Sequence, residues 1–191
     1  MQELREAIAR YGQGIGQNIV KVDMFLNHRL ETGLLFRMGE ELANRFQDLK
    51  PDLILTVEAS GIALALATAR AMNDLPVVFA KKGATVVQSP DVAEAKVYSF
   101  THKRENVIRV DKKFLPQGSR VLIIDDFLAM GSALSGLITL VEDAGATLVG
   151  AGIAIEKAFQ PGGDMIRSRG VRVESLARIK SMSVENGIEF C

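Results

Sequence analysis

Apolar residues along the chain follow two periods, and segments of the two kinds alternate. Mainly apolar runs, typical of strands buried on both faces of a parallel sheet, occur at Leu53–Val57, Val77–Ala80, Val121–Ile124 and Thr147–Glu156. Val171–Leu176 is a last strand candidate. Apolar residues at helical spacing occupy segments 2–11, 31–47, 62–72 and 132–144. Because strands alternate with helices, we predict an α/β fold with a mainly parallel, twisted sheet flanked by helices.

The shorter segments between these elements carry turn residues. Gly12, Gly14 and Gly16 do not complete a dinucleotide-binding motif, and we predict a flexible connection there. We predict a loop at Gln160–Gly163 and a small terminal hairpin around Asn186–Gly187.

One long segment, residues 83–106, differs from the rest of the chain in its pattern of apolar and polar residues. Its middle is polar and turn-like, whereas Val97–Thr101 alternates as a strand does. Long excursions from a compact domain are usually lids or disordered segments, and we predict a lid here. Tyr98 fits either a lid residue or a core aromatic, and the pattern does not separate the two.

Composition and charge bound the function. At 191 residues, with 48% hydrophobic and 24% charged, the chain fits one α/β domain spanning residues 1–191. Lys plus Arg and Asp plus Glu both number 23, so no broad basic field is available to bind nucleic acid. No apolar run approaches the ~20 residues of a membrane span, and residues 1–10 are unlike a signal peptide. We therefore expect a cytoplasmic protein that binds neither nucleic acid nor membrane.

The chemistry of the chain centres on the stretch 120–133. An apolar strand stops at two adjacent carboxylates, Asp125 and Asp126, and a loop of small residues then opens a helix at Ser132. Small residues let backbone N–H groups approach a ligand, and a helix N-terminus favours an anion. Two acids would repel a bare phosphate, but they suit a sugar phosphate with hydroxyls or magnesium pyrophosphate. The same pattern also fits a strand, an acidic turn and a helix without chemistry.

Receiver domains of two-component signalling also end their first strand in an acid pair. That fold needs a phosphoacceptor Asp and a Lys on later strands. The chain after Asp126 is too short to supply them, so the receiver alternative is excluded.

A second strand–loop–helix unit repeats the arrangement. Leu53–Val57 ends at Glu58-Ala59-Ser60-Gly61, and a helix follows directly, so we predict a second anion site. The next strand ends in Lys81 and Lys82. Ligands bind at the carboxyl ends of strands in open α/β sheets, so we interpret these lysines as phosphate partners.

Several segments together resemble the xanthine phosphoribosyltransferases, a family of type I phosphoribosyltransferases. The acid pair and the loop after it resemble the 5-phosphoribosyl 1-pyrophosphate (PRPP) signature of the whole type I group. The other segments that resemble the xanthine enzymes are Val22–His28, Glu58–Ala63, Phe79–Lys82, Tyr98–Thr101, Ile155–Gly162 and Arg172–Ala177. Two segments narrow the resemblance to the xanthine enzymes: Phe25–Asn27 and Glu156–Gly162. The resemblance covers almost the whole chain.

The resemblance implies a type I phosphoribosyltransferase fold with a small hood, formed by the N-terminal segment and the C-terminal tail, and a flexible lid at about 83–106. It implies transfer of the 5-phosphoribosyl group from PRPP to N9 of xanthine, giving xanthosine 5′-monophosphate and pyrophosphate in purine salvage. Mg²⁺ is expected to arrive with PRPP, since the sequence shows no protein metal cage. The family also implies a homodimer.

Candidate site residues follow from the same resemblance. Asp125 and Asp126 are the implied catalytic pair, accepting hydrogen bonds from the ribose hydroxyls. The other implied residues are Val20, Asn27 and Lys157 for xanthine, and Ala129, Met130, Gly131, Ser132, Ala133, Ala59, Ser60 and Lys81 for PRPP. Lys157 suits a 6-keto purine, because an ammonium group donates hydrogen bonds and accepts none.

Two other functions fit the same sequence, and one loop departs from the family. A guanine or hypoxanthine phosphoribosyltransferase would carry the same motifs, and a non-catalytic regulator that senses PRPP or a purine would share the fold. The xanthine enzymes usually carry Asn at position 130 and often Gln at 132, where this chain has Met130 and Ser132. Met has no hydrogen-bond donor, so we expect a weaker grip on PRPP unless the side chain points away from the phosphate.

Overall fold

The computed structural model describes residues 1–16, 18–83, 91–99, 104–183 and 187–191. The strands within them are β1 (Gln13–Ile15), β2 (Ile19–Lys21), β3 (Leu53–Val57), β4 (Val77–Lys82), β5 (Val92–Ser99), β6 (Arg104–Asp111), β7 (Arg120–Leu128), β8 (Thr147–Lys157), β9 (Val173–Ser183) and β10 (Gly187–Phe190). The helices are α1 (Gln2–Tyr11), α2 (Thr32–Phe46), α3 (Gly61–Ala71), α4 (Ser132–Asp143) and α5 (Gly162–Ser168), with a π-helix at Asp23–Asn27 and a 3₁₀ turn at Lys112–Phe114.

The central sheet has the strand order β10-β9-β8-β7-β3-β4-β6-β5. The five strands from β9 to β4 are parallel to one another, and antiparallel strands are added at both edges. The predicted α/β fold with a mainly parallel sheet is therefore confirmed. The chain proceeds outward from β3 to β4 in one direction and from β7 through β8 to β9 in the other. A ligand crevice is expected at such a reversal, outside the carboxyl ends of β3 and β7.

The sheet is buried because apolar residues on its central strands alternate between two cores. In β7, Leu122 and Ile124 pack with the helices α1, α2 and α3, and Val121 and Ile123 pack with α4. At Gly39, an added Cβ would lie 2.4 Å from the carbonyl carbon of Ala67, so α2 and α3 touch through their backbones. In the described part of the chain, no helix is both long and apolar enough to cross a bilayer.

Three local predictions about the site-bearing segments were wrong. Strand β7 does not stop at the acid pair but continues to Leu128, because its ladder with β8 goes on through Phe127↔Ile155. The glycine-rich segment at 12–16 is not a flexible connection: β1 pairs with β2 in a separate two-stranded sheet. The predicted loop Gln160–Gly163 runs directly into α5, a helix that the sequence pattern did not predict.

The two hairpin-like segments have different outcomes. Strands β9 and β10 pair antiparallel, with Gly187 at a positive φ of 69°, so the terminal hairpin is confirmed, although Asn186 lies outside the described residues. Of the predicted lid, the described part is β5 and the start of β6, which form an antiparallel ladder from Val92↔Asp111 to Ser99↔Arg104. Residues 84–90 and 100–103 lie outside the described residues, and the lid stays a prediction.

Candidate active site

The acid pair lies on the central strand of the sheet, beside the loop that follows β3. Asp125 is 3% exposed and Asp126 is 7% exposed, and the Asp126 backbone N–H donates to Asp125 Oδ1 over 3.0 Å. A Cβ added to Gly61 would lie 2.9 Å from that same Oδ1 and 2.2 Å from Thr56 Oγ1. The missing side chain of Gly61 therefore lets the loop after β3 pack directly on the acid pair.

The environment of Asp125 disfavours its charged form. Burial raises the pKa of Asp125 well above its ordinary value, and the neighbouring Asp126 charge adds to the rise, while the positive charge of Lys82 works against it. Two adjacent buried carboxylates gain most when positive charge or hydroxyl donors appear beside them. This pair is therefore suited to stabilising a cationic centre.

The loop from β7 to α4 has the features of an anion site. Gly131 precedes α4 in the left-handed conformation, with φ 84° and ψ 3°, and in the described residues no side chain caps the helix. The first N–H groups of an α-helix have no intrahelical acceptors, and they point at any bound anion. Ser132 Oγ accepts a hydrogen bond from the Tyr98 backbone N–H over 2.7 Å, and within the described residues its own proton has no acceptor.

The loop after β3 and the end of β4 are joined at the same edge. Glu58 Oε1 accepts a hydrogen bond from the Lys82 backbone N–H over 2.6 Å, and the Glu58 N–H donates to Ala80 O over 3.1 Å. These bonds place the candidate PRPP residues Ala59 and Lys81, both exposed, at the ends of neighbouring strands. Ser60, partly buried, immediately precedes α3.

The segment between β1 and β2 contacts the end of β8 through Lys157. Lys157 Nζ donates to Asn18 O over 2.5 Å and lies 5.6 Å from the centroid of the Phe127 ring. Burial lowers the pKa of Lys157 below its ordinary value. Phe127 directly follows Asp126 in the chain, so this contact brings the candidate purine-binding lysine to the strand that carries the acid pair.

The structure brings most of the predicted site residues to one edge, but it does not link all of them. Val20 is buried in β2, and Asn27 is exposed at the end of the π-helix, both close in sequence to the Asn18 contact of Lys157. Among the described residues, no hydrogen bond joins Val20 or Asn27 to Lys157. Their predicted role at the purine therefore stays a prediction.

Several residues at the site were missed by sequence reasoning. Thr56 is fully buried, and within the described residues its hydroxyl has no hydrogen-bond partner. A single hydroxyl in the otherwise apolar run Leu53–Val57 was the available signal. Phe127 and Asn18 carried no such signal, because their contacts with Lys157 depend on segments distant in the chain.

Comparison with known proteins gives one consistent result. The phosphoribosyl transferase domain family matches residues 29–167. The chain is 52% identical over 182 residues to a xanthine phosphoribosyltransferase of Heliobacterium modesticaldum, covering 95% of this chain and 96% of the relative. It is 50% identical over 190 residues to xanthine phosphoribosyltransferase 1 of Clostridium perfringens, covering 100% of both.

Solved structures support the fold alone, because their sequences are distant. The adenine phosphoribosyltransferase of Rhodothermus marinus superposes with a TM-score of 0.73 at 22% identity, covering 93% of this chain and 99% of that one. The enzyme of Giardia lamblia, complexed with 9-deazaadenine, superposes with a TM-score of 0.78 at 21% identity, covering 92% and 97%.

Proposed function

Because the chain belongs to the xanthine phosphoribosyltransferase family, we propose that it transfers the 5-phosphoribosyl group of PRPP to N9 of xanthine. The products are xanthosine 5′-monophosphate and pyrophosphate, and the reaction recovers a free purine as a nucleotide. The enzyme is a pentosyltransferase, and its place in metabolism is purine salvage.

One observation carries the assignment of the site. The buried pair Asp125–Asp126, the anion loop that opens α4, and Lys157, 5.6 Å from the Phe127 ring, all lie at the carboxyl ends of the paired strands β7 and β8. A nucleotide carries a phosphate, a ribose and a base, and these three features match them one to one. The geometry therefore supports the 5′-phosphate at 129–133, the ribose at the acid pair and the purine beside Lys157.

The acid pair would act on the charge that develops in the reaction. When the bond from the ribose to pyrophosphate breaks, positive charge builds on the ribose ring before N9 of the purine bonds to the same carbon. Carboxylates fixed beside the ring stabilise that charge more than they stabilise neutral bound ribose, which lowers the barrier. Since Asp125 and Asp126 are already buried and joined by a hydrogen bond, they need little reorganisation at that moment.

The loops on either side would bind the two phosphate ends of PRPP. Residues 129–133 offer the backbone N–H groups of the α4 N-terminus and the Ser132 hydroxyl to the 5′-phosphate. Ala59, Ser60 and Lys81, at the ends of β3 and β4, would bind the pyrophosphate. The Lys81 ammonium is a compact charge that can follow the leaving group.

The reaction would use Mg²⁺ carried by PRPP. Mg²⁺ prefers oxygen ligands and keeps several waters or phosphate oxygens. Among the described residues, no group of three or more His, Cys, Asp and Glu side chains could hold a metal. The carboxylate oxygens of Asp125 and Asp126 fit an ion of this kind, which would be held by PRPP itself, and its charge would favour departure of the pyrophosphate.

Lys157 would select the purine. Its ammonium group donates hydrogen bonds and accepts none, so it favours a 6-keto group over a 6-amino group. Val20 and Asn27, on the hood, would complete the pocket. Guanine and hypoxanthine share the 6-keto group with xanthine, so they are the competing substrates.

We also propose that the enzyme acts in the cytoplasm as a homodimer. Phe36 on α2 and Leu66 on α3 are 51% and 56% exposed, and these two helices pack against each other. Contiguous exposed apolar patches mark association surfaces, and these two helices are the candidate location of one. Light scattering of the purified chain tests this, and a monomer mass across the micromolar range would contradict it.

The proposed activity is tested with the purified chain, PRPP, Mg²⁺ and xanthine. We expect equal amounts of xanthosine 5′-monophosphate and pyrophosphate, measured by chromatography and by a coupled pyrophosphate assay. The double variant Asp125→Asn/Asp126→Asn is the control, since it keeps the size of both side chains. Absence of nucleotide with the folded wild-type chain would contradict the proposal.

A further inference from the structure

The anion loop packs against α5, a helix that takes no direct part in the proposed reaction. The Gly162 backbone N–H donates to Ala129 O over 3.1 Å. A Cβ added to Gly162 would lie 2.3 Å from Ala129 O, 2.5 Å from Gly131 N and 2.7 Å from the carbonyl carbon of Met130. All three neighbours are backbone atoms, so no side chain could move aside. The first turn of α5 therefore holds the backbone of the loop from behind.

The other end of α5 is fixed by a buried ion pair. Arg167 donates to both oxygens of Glu156, over 2.8 and 2.7 Å, and Glu156 is 1% exposed. Ser175 of β9 donates to the same carboxylate over 2.5 Å. A Cβ added to Gly163 would lie 2.3 Å from Glu156 Oε1, so a glycine is needed here as well. The carboxylate thus joins α5 to β8 and β9.

Glu156 is ionised in this setting. Burial works to raise its pKa, but the hydrogen bonds from Arg167 and Ser175 and the charges of Arg167 and Arg178 outweigh burial, so the pKa lies below its ordinary value. A two-pronged pair of a guanidinium and a carboxylate fixes orientation as well as distance. The position of α5, and with it that of Gly162, is therefore set by a directional contact.

We propose that Arg167, through Glu156 and Gly162, is a positioning residue for the PRPP 5′-phosphate loop at 129–133. The proposal rests on the proposed function, because it assigns the phosphate to that loop. Backbone donors bind a phosphate well only when they are held within about 0.5 Å of the productive geometry. The ion pair supplies that constraint from outside the ligand site, without touching the ligand.

The experiment compares variants of the full chain by steady-state kinetics. Arg167→Met removes the two-pronged contact and keeps an unbranched stem, and Arg167→Lys keeps the charge without the fork. We expect Arg167→Met to raise the KM for PRPP by on the order of tenfold or more, since displacement of about 1 Å can cost a hundredfold. The KM for xanthine should change less than about twofold, and Arg167→Lys should lie between wild type and Arg167→Met.

Two matched controls separate positioning from general damage. Arg169 lies two residues after Arg167 and forms a partly exposed ion pair with Glu142. Arg169→Met removes that ion pair and should leave both KM values unchanged. Gly162→Ala attacks the loop contact directly and should raise the KM for PRPP as Arg167→Met does. Its control is Gly33→Ala, whose new Cβ would meet only the side chain of Arg37, at 3.3 Å and beyond.

A direct binding measurement separates a loss of PRPP affinity from a loss of activity. Calorimetric titration of each variant with magnesium PRPP alone should show weakened binding in Arg167→Met and Gly162→Ala. Unchanged PRPP binding in these variants, or equal rises in KM for both substrates, would overturn the proposal. If Arg167→Met does not fold, Arg167→Lys gives the same test. A wild-type chain that binds PRPP but makes no xanthosine monophosphate would refute the proposed function and leave this inference standing.

Discussion

Replacing Lys157 with Met tests the assignment of the purine site. The ammonium group donates to Asn18 O over 2.5 Å and lies 5.6 Å from the centroid of the Phe127 ring. An ammonium group has three donors, so it can keep the Asn18 contact and still donate to a 6-keto oxygen. Met keeps an unbranched stem of similar length but removes every donor. The variant therefore isolates the hydrogen bond from the packing.

The size of the effect follows from the kind of bond lost. A hydrogen bond to a charged group is worth about 1.5–3 kcal/mol, which corresponds to roughly ten- to a hundredfold in affinity. We expect the KM for xanthine to rise by that factor and the KM for PRPP to stay within about twofold. Asn18 is exposed, so its carbonyl can accept a hydrogen bond from water in the variant. The free energy of unfolding should therefore change little.

The assay measures initial rates with xanthine and the inhibition constant of adenine, which has a 6-amino group. Lys180→Met is the matched control, because Lys180 is exposed on β9 next to Ile179, the register partner of Lys157. Adenine inhibition should weaken less than xanthine binding, since a 6-amino group offers Lys157 no acceptor. Equal losses for both bases would show that Lys157 does not contact the 6-position.

Three further predictions concern the acid pair and the anion loop. Asp125→Asn or Asp126→Asn should lower kcat/KM by on the order of a hundredfold or more, with folding retained, and near-normal turnover in both variants would leave the pair without a catalytic role. The raised pKa of Asp125 should also make the free energy of unfolding depend on pH. A carboxyl whose pKa is higher in the folded than in the unfolded state stabilises the fold below the unfolded pKa. That contribution is lost as pH rises through the folded pKa. We therefore expect the free energy of unfolding in urea of Asp125→Asn to rise relative to that of wild type as pH increases from about 3.8. A difference between the two free energies that does not depend on pH would contradict this. Met130→Asn should lower the KM for PRPP severalfold, the worth of about one net hydrogen bond, and should leave the KM for xanthine unchanged; an unchanged or higher KM for PRPP would show that the loop does not need the donor.

Local patterns were enough to predict the sheet and the helices that pack on it. The run Leu53–Val57 is both the predicted and the observed strand β3, because burial on both faces leaves a signal in consecutive residues. Helix α1 also begins and ends within the predicted segment 2–11. These elements are specified by periodicity, and periodicity can be seen in one sequence.

The missed features depend on contacts between distant segments. Gly162 and Gly163 indicate a loop when taken alone, but each is required by close packing, against the backbone of Ala129 and against the Glu156 carboxylate. Helix α5 was therefore not predicted, because its first two glycines indicate a loop when only the sequence is considered. Likewise, β7 runs past Asp126 because β8 offers further pairing partners, which the polar residues themselves do not indicate.

The measurement that tests the central claim most directly is a competition among four purines. The purified chain is given PRPP, Mg²⁺ and equal concentrations of xanthine, guanine, hypoxanthine and adenine, and the four nucleotides are separated over time. We predict that xanthosine 5′-monophosphate forms fastest and that adenosine 5′-monophosphate does not form, because Lys157 favours a 6-keto purine. Faster formation of the adenine nucleotide than of the xanthine nucleotide, or no nucleotide at all, would contradict the claim.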